Sequence, residues 1–355
     1  MFTLITLVDD SPAYFYYVRD IFRMYQTFDR LFSLIDIREY QADENPAEVT
    51  ILDRFAMFAV MYYEDVTYES LIERLAGTKN LVFMTSDLHY WSIFPELIDA
   101  RLLTPRQPFP LPKFLNKFLG GLRPFSSHQL SPSDNRYDRL FEMFDRLDIR
   151  HLITCYECPE LNQIRLQRSA LQTYVIDLHI EPAIFRDYGL PKEHDVIIYG
   201  SMSPSSYPFR NRVSRLITRS RRFKVLHLKL NDMFYNADMC GEGLARKINQ
   251  SWLGLATTSN FDYLVGKYFE IPACRSVVLG NMNEQGHAIF GNNYIHIDNQ
   301  MTDSQILNAV ADALSDRRRL QEYADQMYEV MHTRYTLEEN ERKLFQVASQ
   351  ILESC

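Results

Sequence analysis

The sequence predicts an α/β protein made of two parallel-sheet domains, and three features of its 355 residues carry that prediction. Up to about residue 178, short apolar runs alternate with amphipathic segments, the rhythm of a mostly parallel sheet with helices packed across it. Residues 179–194 break that rhythm with two prolines, a glycine and no strong periodicity, and read as a linker. Beyond them, Asp195-Val-Ile-Ile-Tyr-Gly200 opens a second alternating series with a strand that ends in a glycine turn. The implied organisation is a first domain over residues 1–178, the linker, a second domain over 195–334, and a last helical stretch over 335–355.

Taken in order, the strand candidates of the first domain are Thr3–Val8, Leu31–Ile37, Leu81–Met84, His151–Thr154 and Thr173–Ile176. The helix candidates are Pro12–Thr27, Ala47–Tyr63, Tyr68–Gly77, Ser92–Ala100 and Tyr137–Leu147. The opening Met-Phe-Thr-Leu-Ile-Thr-Leu-Val meets Asp9 and Asp10 at once, without a basic leader or cleavage site. It therefore reads as a first strand and points to a cytosolic protein. In the second domain, strands are expected at Phe223–Leu228, Trp252–Ala256, Ser276–Leu279 and Tyr294–Ile297. The tail is helical: apolar residues at 306, 310, 313 and 314 follow a capping Asp303 or Ser304, and helices continue over Arg317–His332 and Leu337–Leu352.

The most telling stretch is Asn249–Asn281. An apolar strand (Trp252–Ala256) runs into a small polar turn (Thr257–Asn260), then a helix from about Asp262 to Ala273, then a second strand. Such a βαβ unit implies parallel pairing. The turn offers free N–H groups and the positive end of a helix dipole, a seat for phosphate. Asp262 and Glu270, eight positions apart, would lie near one face of that helix, one end meeting a sugar and the other a ribose.

The run Lys267-Tyr-Phe-Glu-Ile-Pro-Ala-Cys-Arg-Ser-Val-Val-Leu resembles the donor-site helix of GT-B glycosyltransferases, in particular the group 1 retaining enzymes and their CgeB-like relatives. The resemblance spans about residues 175–345 well and the first domain only in architecture. It implies two Rossmann-like domains facing a cleft, with the last helix crossing back onto the first domain. It also implies a metal-independent transfer from a nucleotide-diphosphate sugar, most often with retention, and no further cofactor. Two positions depart from the family pattern: Asp262 stands where Glu is usual, and Arg275 where Gly is usual.

Candidate residues follow. Glu270 can accept two hydrogen bonds from a vicinal diol and is assigned to the ribose, with Asp262 on the donor sugar by analogy. Backbone amides near Tyr263, Leu264 and Val265 would face the diphosphate, although the Tyr263 ring suits the core equally well. Arg210–Lys224 holds seven cations and no acid in fifteen residues, with Val213, Leu216 and Ile217 at helical spacing. Most of those cations read as a solvated face. The resemblance implies that a cation from this region and another near the donor helix neutralise the leaving diphosphate in place of a metal clamp, and Arg210, just beyond the Gly200-Ser201 loop, and Lys267 are the candidates. Lys247 and Lys229 stand behind them. Asp87 and His89, after the strand Leu81–Met84, are candidate acid or base groups, and equally a turn.

Composition removes other classes. A formal charge of −8 argues against nucleic-acid binding, and 46% hydrophobic residues against disorder. No apolar run nears the roughly 20 residues a bilayer span requires. Residues 113–125 mix cations and apolar groups without an acid, as either a membrane-surface contact or a packed helix. Cys155-Tyr-Glu-Cys158 lacks a second metal-ligand pair and reads as buried thiols. The acceptor stays open among glycan, lipid, protein and small molecule. An inverting transferase, a nucleotide-sugar epimerase and a non-catalytic nucleotide-sugar binder remain alternatives.

Overall fold

The computed structural model describes residues 2–6, 31–54, 56–57, 66–85, 88, 137–204, 206–229 and 237–354. The first sheet contains β1 (Phe2–Thr6), β2 (Ser33–Asp36), β3 (Val49–Asp53), β4 (Leu81–Thr85), β5 (His151–Thr154) and β6 (Gln172–Val175). The second contains β7 (His194–Ile198), β8 (Val225–His227), β9 (Ser251–Leu255), β10 (Val277–Gly280) and β11 (Ile295–His296). Every pairing is parallel, in the orders β2-β1-β3-β4-β5-β6 and β11-β10-β9-β7-β8. Each order reverses beside the domain's first strand, between β1 and β3 and between β7 and β9. Open parallel sheets bind ligands beyond the carboxyl ends of strands at such a reversal.

Helices cover the sheets. In the first domain they are α1 (Tyr68–Leu75), α2 (Asp138–Leu147) and α3 (Pro159–Gln167). In the second they are α4 (Pro208–Ser220), α5 (Gly241–Asn249), α6 (Lys267–Ala273), α7 (Glu284–Phe290) and α8 (Asp303–Ser315). The tail is α9 (Arg317–Arg334) and α10 (Leu337–Ser354). Capping fixes several starts: Thr67 and Thr302 form capping boxes at α1 and α8, and the Asn283 side chain accepts from Gly286 N at α7.

The tail joins the two halves. Met327 and Met331 of α9 lie in the core of the second domain, whereas Leu344, Ala348 and Ile351 of α10 pack with Phe2, Leu4, Val49 and Ile51 beneath the first sheet. The chain crosses at Ile180, whose N–H donates to Tyr335 O at 2.8 Å and whose carbonyl accepts from Leu337 N at 2.9 Å. His179, buried beside this crossing, is pushed down to about 3 by loss of solvent and so stays neutral. Among the described residues, no helix is long and apolar enough to cross a membrane.

Two expectations are corrected here. The segment Ala47–Tyr63 is not a helix throughout: Val49–Asp53 is a strand buried along its whole length. A strand covered on both faces shows a continuous apolar run instead of alternation, and periodicity cannot separate it from a buried helix. The helix expected from Asp262 begins instead at Lys267. The predicted helices Pro12–Thr27 and Ser92–Ala100, and residues 113–125, lie outside the described residues.

Candidate active site

The site is built at the carboxyl ends of β7 and β9. Beyond β7 the chain passes through Tyr199 to Gly200, whose φ of +73° places it in the left-handed region. A side chain there would also meet Lys267, since a Cβ would sit 2.8 Å from its Cε and Nζ. The left-handed backbone favours glycine, and a larger residue would also displace the end of the Lys267 side chain. The loop from Ser201 leads to α4, which Pro208 starts with a fixed φ.

Arg210 sits in the first turn of α4 and is 1% exposed. A cation at a helix N-terminus opposes the dipole, so it needs other partners. Its Nη2 donates to Thr257 O at 2.7 Å and its Nη1 to Ser201 O at 3.3 Å, and the guanidinium lies 3.8 Å from the centre of the Tyr207 ring. It thereby ties the loop after β7 to the loop after β9.

Lys267 opens α6 and is also buried. Its ammonium donates to Tyr199 O and lies 4.5 Å from the centre of the Tyr199 ring. Burial, and next the charge of Arg210, drive its pKa well below the usual lysine range, with Glu270 pulling the other way. Glu270, one turn along, accepts from Tyr199 Oη at 2.8 Å. Thr257 is fully buried, and its Oγ1 has no hydrogen-bond partner among the described residues. Arg210, Lys267 and Glu270 are therefore brought together beside the loops that follow β7 and β9.

Gly200, Ser201, Arg210, Lys267 and Glu270 are thus brought together. Asp262 is placed differently from the expectation of one shared helix face. It stands on the loop before α6 with φ +59°, its N–H donating to Ser259 O at 3.0 Å and its carbonyl accepting from Asn283 Nδ2 at 2.6 Å. Short polar side chains tolerate that conformation better than most. Burial raises the pKa of its half-buried carboxyl, while a hydrogen bond from Thr258 opposes the shift.

The amide of Tyr263 is engaged by Ser259 Oγ at 3.4 Å, and its ring leaves the crevice for the first domain's core. The Leu264 side chain is core as well. Among the described residues, the amides of Leu264, Val265 and Gly266 donate to no protein acceptor.

Lys247 is turned away, donating to Asp238 O at 2.8 Å, and Arg212 pairs at the surface with Asp303 at 2.7 Å. Asp87 and His89 lie outside the described residues. Cys155, Cys158, Cys240 and Cys274 are buried free thiols. No group of three His, Cys, Asp or Glu among the described residues is arranged to hold a metal ion.

Sequence reasoning placed Thr257 only within the polar turn and missed Tyr199, Asn281 and Asn283. Asn281 Nδ2 donates to Thr258 Oγ1 at 2.8 Å and its Oδ1 accepts from Thr258 N at 3.2 Å, bracing the loop after β9. All four follow closely on a strand end. That position, independent of residue type, was the available signal.

No protein-family model and no curated protein matches this sequence. Solved structures do. A sucrose-phosphate synthase from Thermosynechococcus elongatus aligns with 100% of this chain and 99% of its own at a TM-score of 0.55 and 13% identity. HepE of Anabaena, in complex with UDP and glucose, aligns with 99% of this chain and 100% of its own at a TM-score of 0.53 and 10% identity. With its two parallel α/β domains, the chain has the GT-B glycosyltransferase fold.

Proposed function

We propose that this protein is a glycosyltransferase that moves a sugar from a nucleotide-diphosphate donor to an acceptor hydroxyl, without a metal and with retention. The observation that supports it is the convergence of buried Arg210 and Lys267 with Glu270 at the strand-order reversal between β7 and β9. Buried cations beside two helix N-termini suit a doubly charged leaving group and stabilise the charge that grows as the glycosidic bond breaks.

In this reading Glu270 accepts hydrogen bonds from the ribose diol, and the amides of Leu264, Val265 and Gly266 face the diphosphate. Asp262 contacts the donor sugar; its raised pKa suits a group sharing protons with hydroxyls. Gly200 and Ser201 form the opposite lip. Asp87, as a base towards the acceptor hydroxyl, and His89, near the donor sugar, follow β4 in sequence and are the first-domain candidates. Four free cysteines fit a reducing cytoplasm. HepE, which shares the fold, carries UDP and glucose, so UDP-sugars are the first donors to try.

A thermal-shift screen of UDP-, GDP-, ADP- and dTDP-sugars tests the donor, because a bound ligand stabilises by mass action. Transfer in EDTA, followed by NMR of the anomeric centre, then tests metal independence and stereochemistry. Inversion would transfer the mechanism to a true base such as Asp87. Donor conversion without an acceptor would indicate an epimerase, and binding without sugar release a non-catalytic binder.

A further inference from the structure

We propose that Glu160 and Tyr263 form a positioning couple through which the first domain sets the conformation of the nucleotide-facing loop of the second. The inference rests on the donor-site reading above and adds residues which that reading does not use.

Tyr263 belongs to the loop between β9 and α6, yet its ring is 1% exposed within the first domain's core. It stacks on Tyr156 with centroids 4.3 Å apart and planes 8° from parallel. Its hydroxyl donates to the carboxylate of Glu160, which is 5% exposed at the start of α3. Aromatic packing and a hydrogen bond to a charged group thus hold one side chain across the domain boundary.

The same first-domain turn is gripped a second time. Gln285 of α7 donates to Cys155 O at 3.1 Å and to Asp177 Oδ1 at 2.7 Å, and accepts from Glu157 N at 3.3 Å. Two residues before Gln285, Asn283 holds the carbonyl of Asp262. Asp262, in its left-handed conformation, is therefore fixed on one side by Asn283 and on the other by an anchored Tyr263. The undonated amides of Leu264, Val265 and Gly266 follow immediately. Separating the domains would withdraw Tyr263 and release the backbone that faces the diphosphate. Domain contact and donor grip are one event in this arrangement.

The test uses the full chain and three substitutions: Tyr263→Phe, which keeps the stack and removes the hydroxyl, Glu160→Ala, and Glu160→Gln, which keeps an acceptor. Amide hydrogen exchange without ligand is read at Asp262 and Tyr263, whose amides donate to Ser259 O and Ser259 Oγ, with β7 and β9 as internal controls. Tyr263→Phe and Glu160→Ala should accelerate exchange in that loop at least tenfold and leave the strands unchanged, while Glu160→Gln should restore slow exchange. Calorimetry with UDP should show Kd raised about tenfold in the first two variants and within twofold of wild type in the third. Wild-type exchange at Asp262 and Tyr263 in a folded Glu160→Ala protein would overturn the couple, as would equal acceleration of loop and strands in all three. If wild type binds none of UDP, GDP, ADP or dTDP, the donor reading fails instead, and the exchange data still decide whether the couple exists.

Discussion

The carboxyl edges of the two sheets share a topology and, among the described residues, differ in the charged side chains at their strand ends. In the second domain the reversal point between β7 and β9 is lined by buried Arg210 and Lys267. In the first, the reversal between β1 and β3 presents a row of Asp36, Thr6 and Asp53, with Thr6 Oγ1 donating to Asp53 Oδ2 at 2.9 Å and Arg38 pairing Asp36 at 2.9 Å. A doubly charged phosphate has reason to enter only the first of these environments, and a neutral hydroxyl-bearing molecule can be met by acids. The fold provides two equivalent strand-order reversals, and under the proposed function the residues at the strand ends divide the labour between them.

The largest effect should come from removing the cation that ties the loops together. Arg210→Met takes away the charge-assisted hydrogen bonds proposed to the diphosphate, worth together about 3 kcal/mol, near a hundredfold in nucleoside-diphosphate Kd by calorimetry. The same change should lower Tm, because the carbonyls of Thr257 and Ser201 lose their donor. Arg212, two residues along the same helix, provides the contrast: its ion pair with Asp303 is partly exposed, so Arg212→Ala should leave Kd unchanged and cost about 0–1 kcal/mol of stability. A Kd unaltered by Arg210→Met would erase the difference between the edges.

Glu270→Gln ranks next. It keeps the size and a hydrogen bond with Tyr199 but loses the charge offered to the ribose, so affinity for a nucleoside diphosphate should fall about tenfold with little change in Tm. Asp53→Asn on the other edge should leave the same Kd within about twofold. Similar losses from both substitutions would mean that the nucleotide bridges the domains and the charge division is not functional.

The sequence showed the two parallel α/β sheets and most of their strands, because amphipathic alternation and glycine turns are local signals. It failed where tertiary packing overrode them. Val49-Thr-Ile-Leu-Asp53 looks like part of a helix until both faces are seen to be covered. Asp262 and Glu270 look like one helix face until the left-handed turn at Asp262 appears, held from a distance by Asn283 and Tyr263. Arg275, where related motifs carry Gly, has a φ of +52°, the conformation a glycine would supply. Its side chain lies 3.3 Å from both Asp187 in the linker and Asp325 on α9, and 4.8 Å from the Tyr328 ring centre. These contacts offset the backbone strain, and none is visible in the local sequence.

The smallest predicted effect separates a half-buried lysine from a buried one by their surroundings. Lys192 is pushed down to about 8 chiefly by burial, yet its ammonium donates to Ser251 O at 2.9 Å and Arg275 O at 2.6 Å, at the opposite end of the sheet from the site. Its folded pKa lies below the unfolded value of 10.5, so its stability contribution is present above 10.5 and lost as pH falls through about 8. The Tm difference between wild type and Lys192→Met should accordingly change across that window, and nucleotide should not alter the change. Lys267 is depressed in the same direction, but a diphosphate beside it would favour the charged form and raise its pKa. Nucleotide binding should then take up a proton wherever the pH lies between the two values, and affinity should fall severalfold as pH rises through that interval. Calorimetry in buffers of different ionisation enthalpy reads the proton directly. Lys267→Met should abolish the buffer dependence and Lys192→Met should preserve it; the reverse pattern would move the phosphate to the wrong end of the sheet.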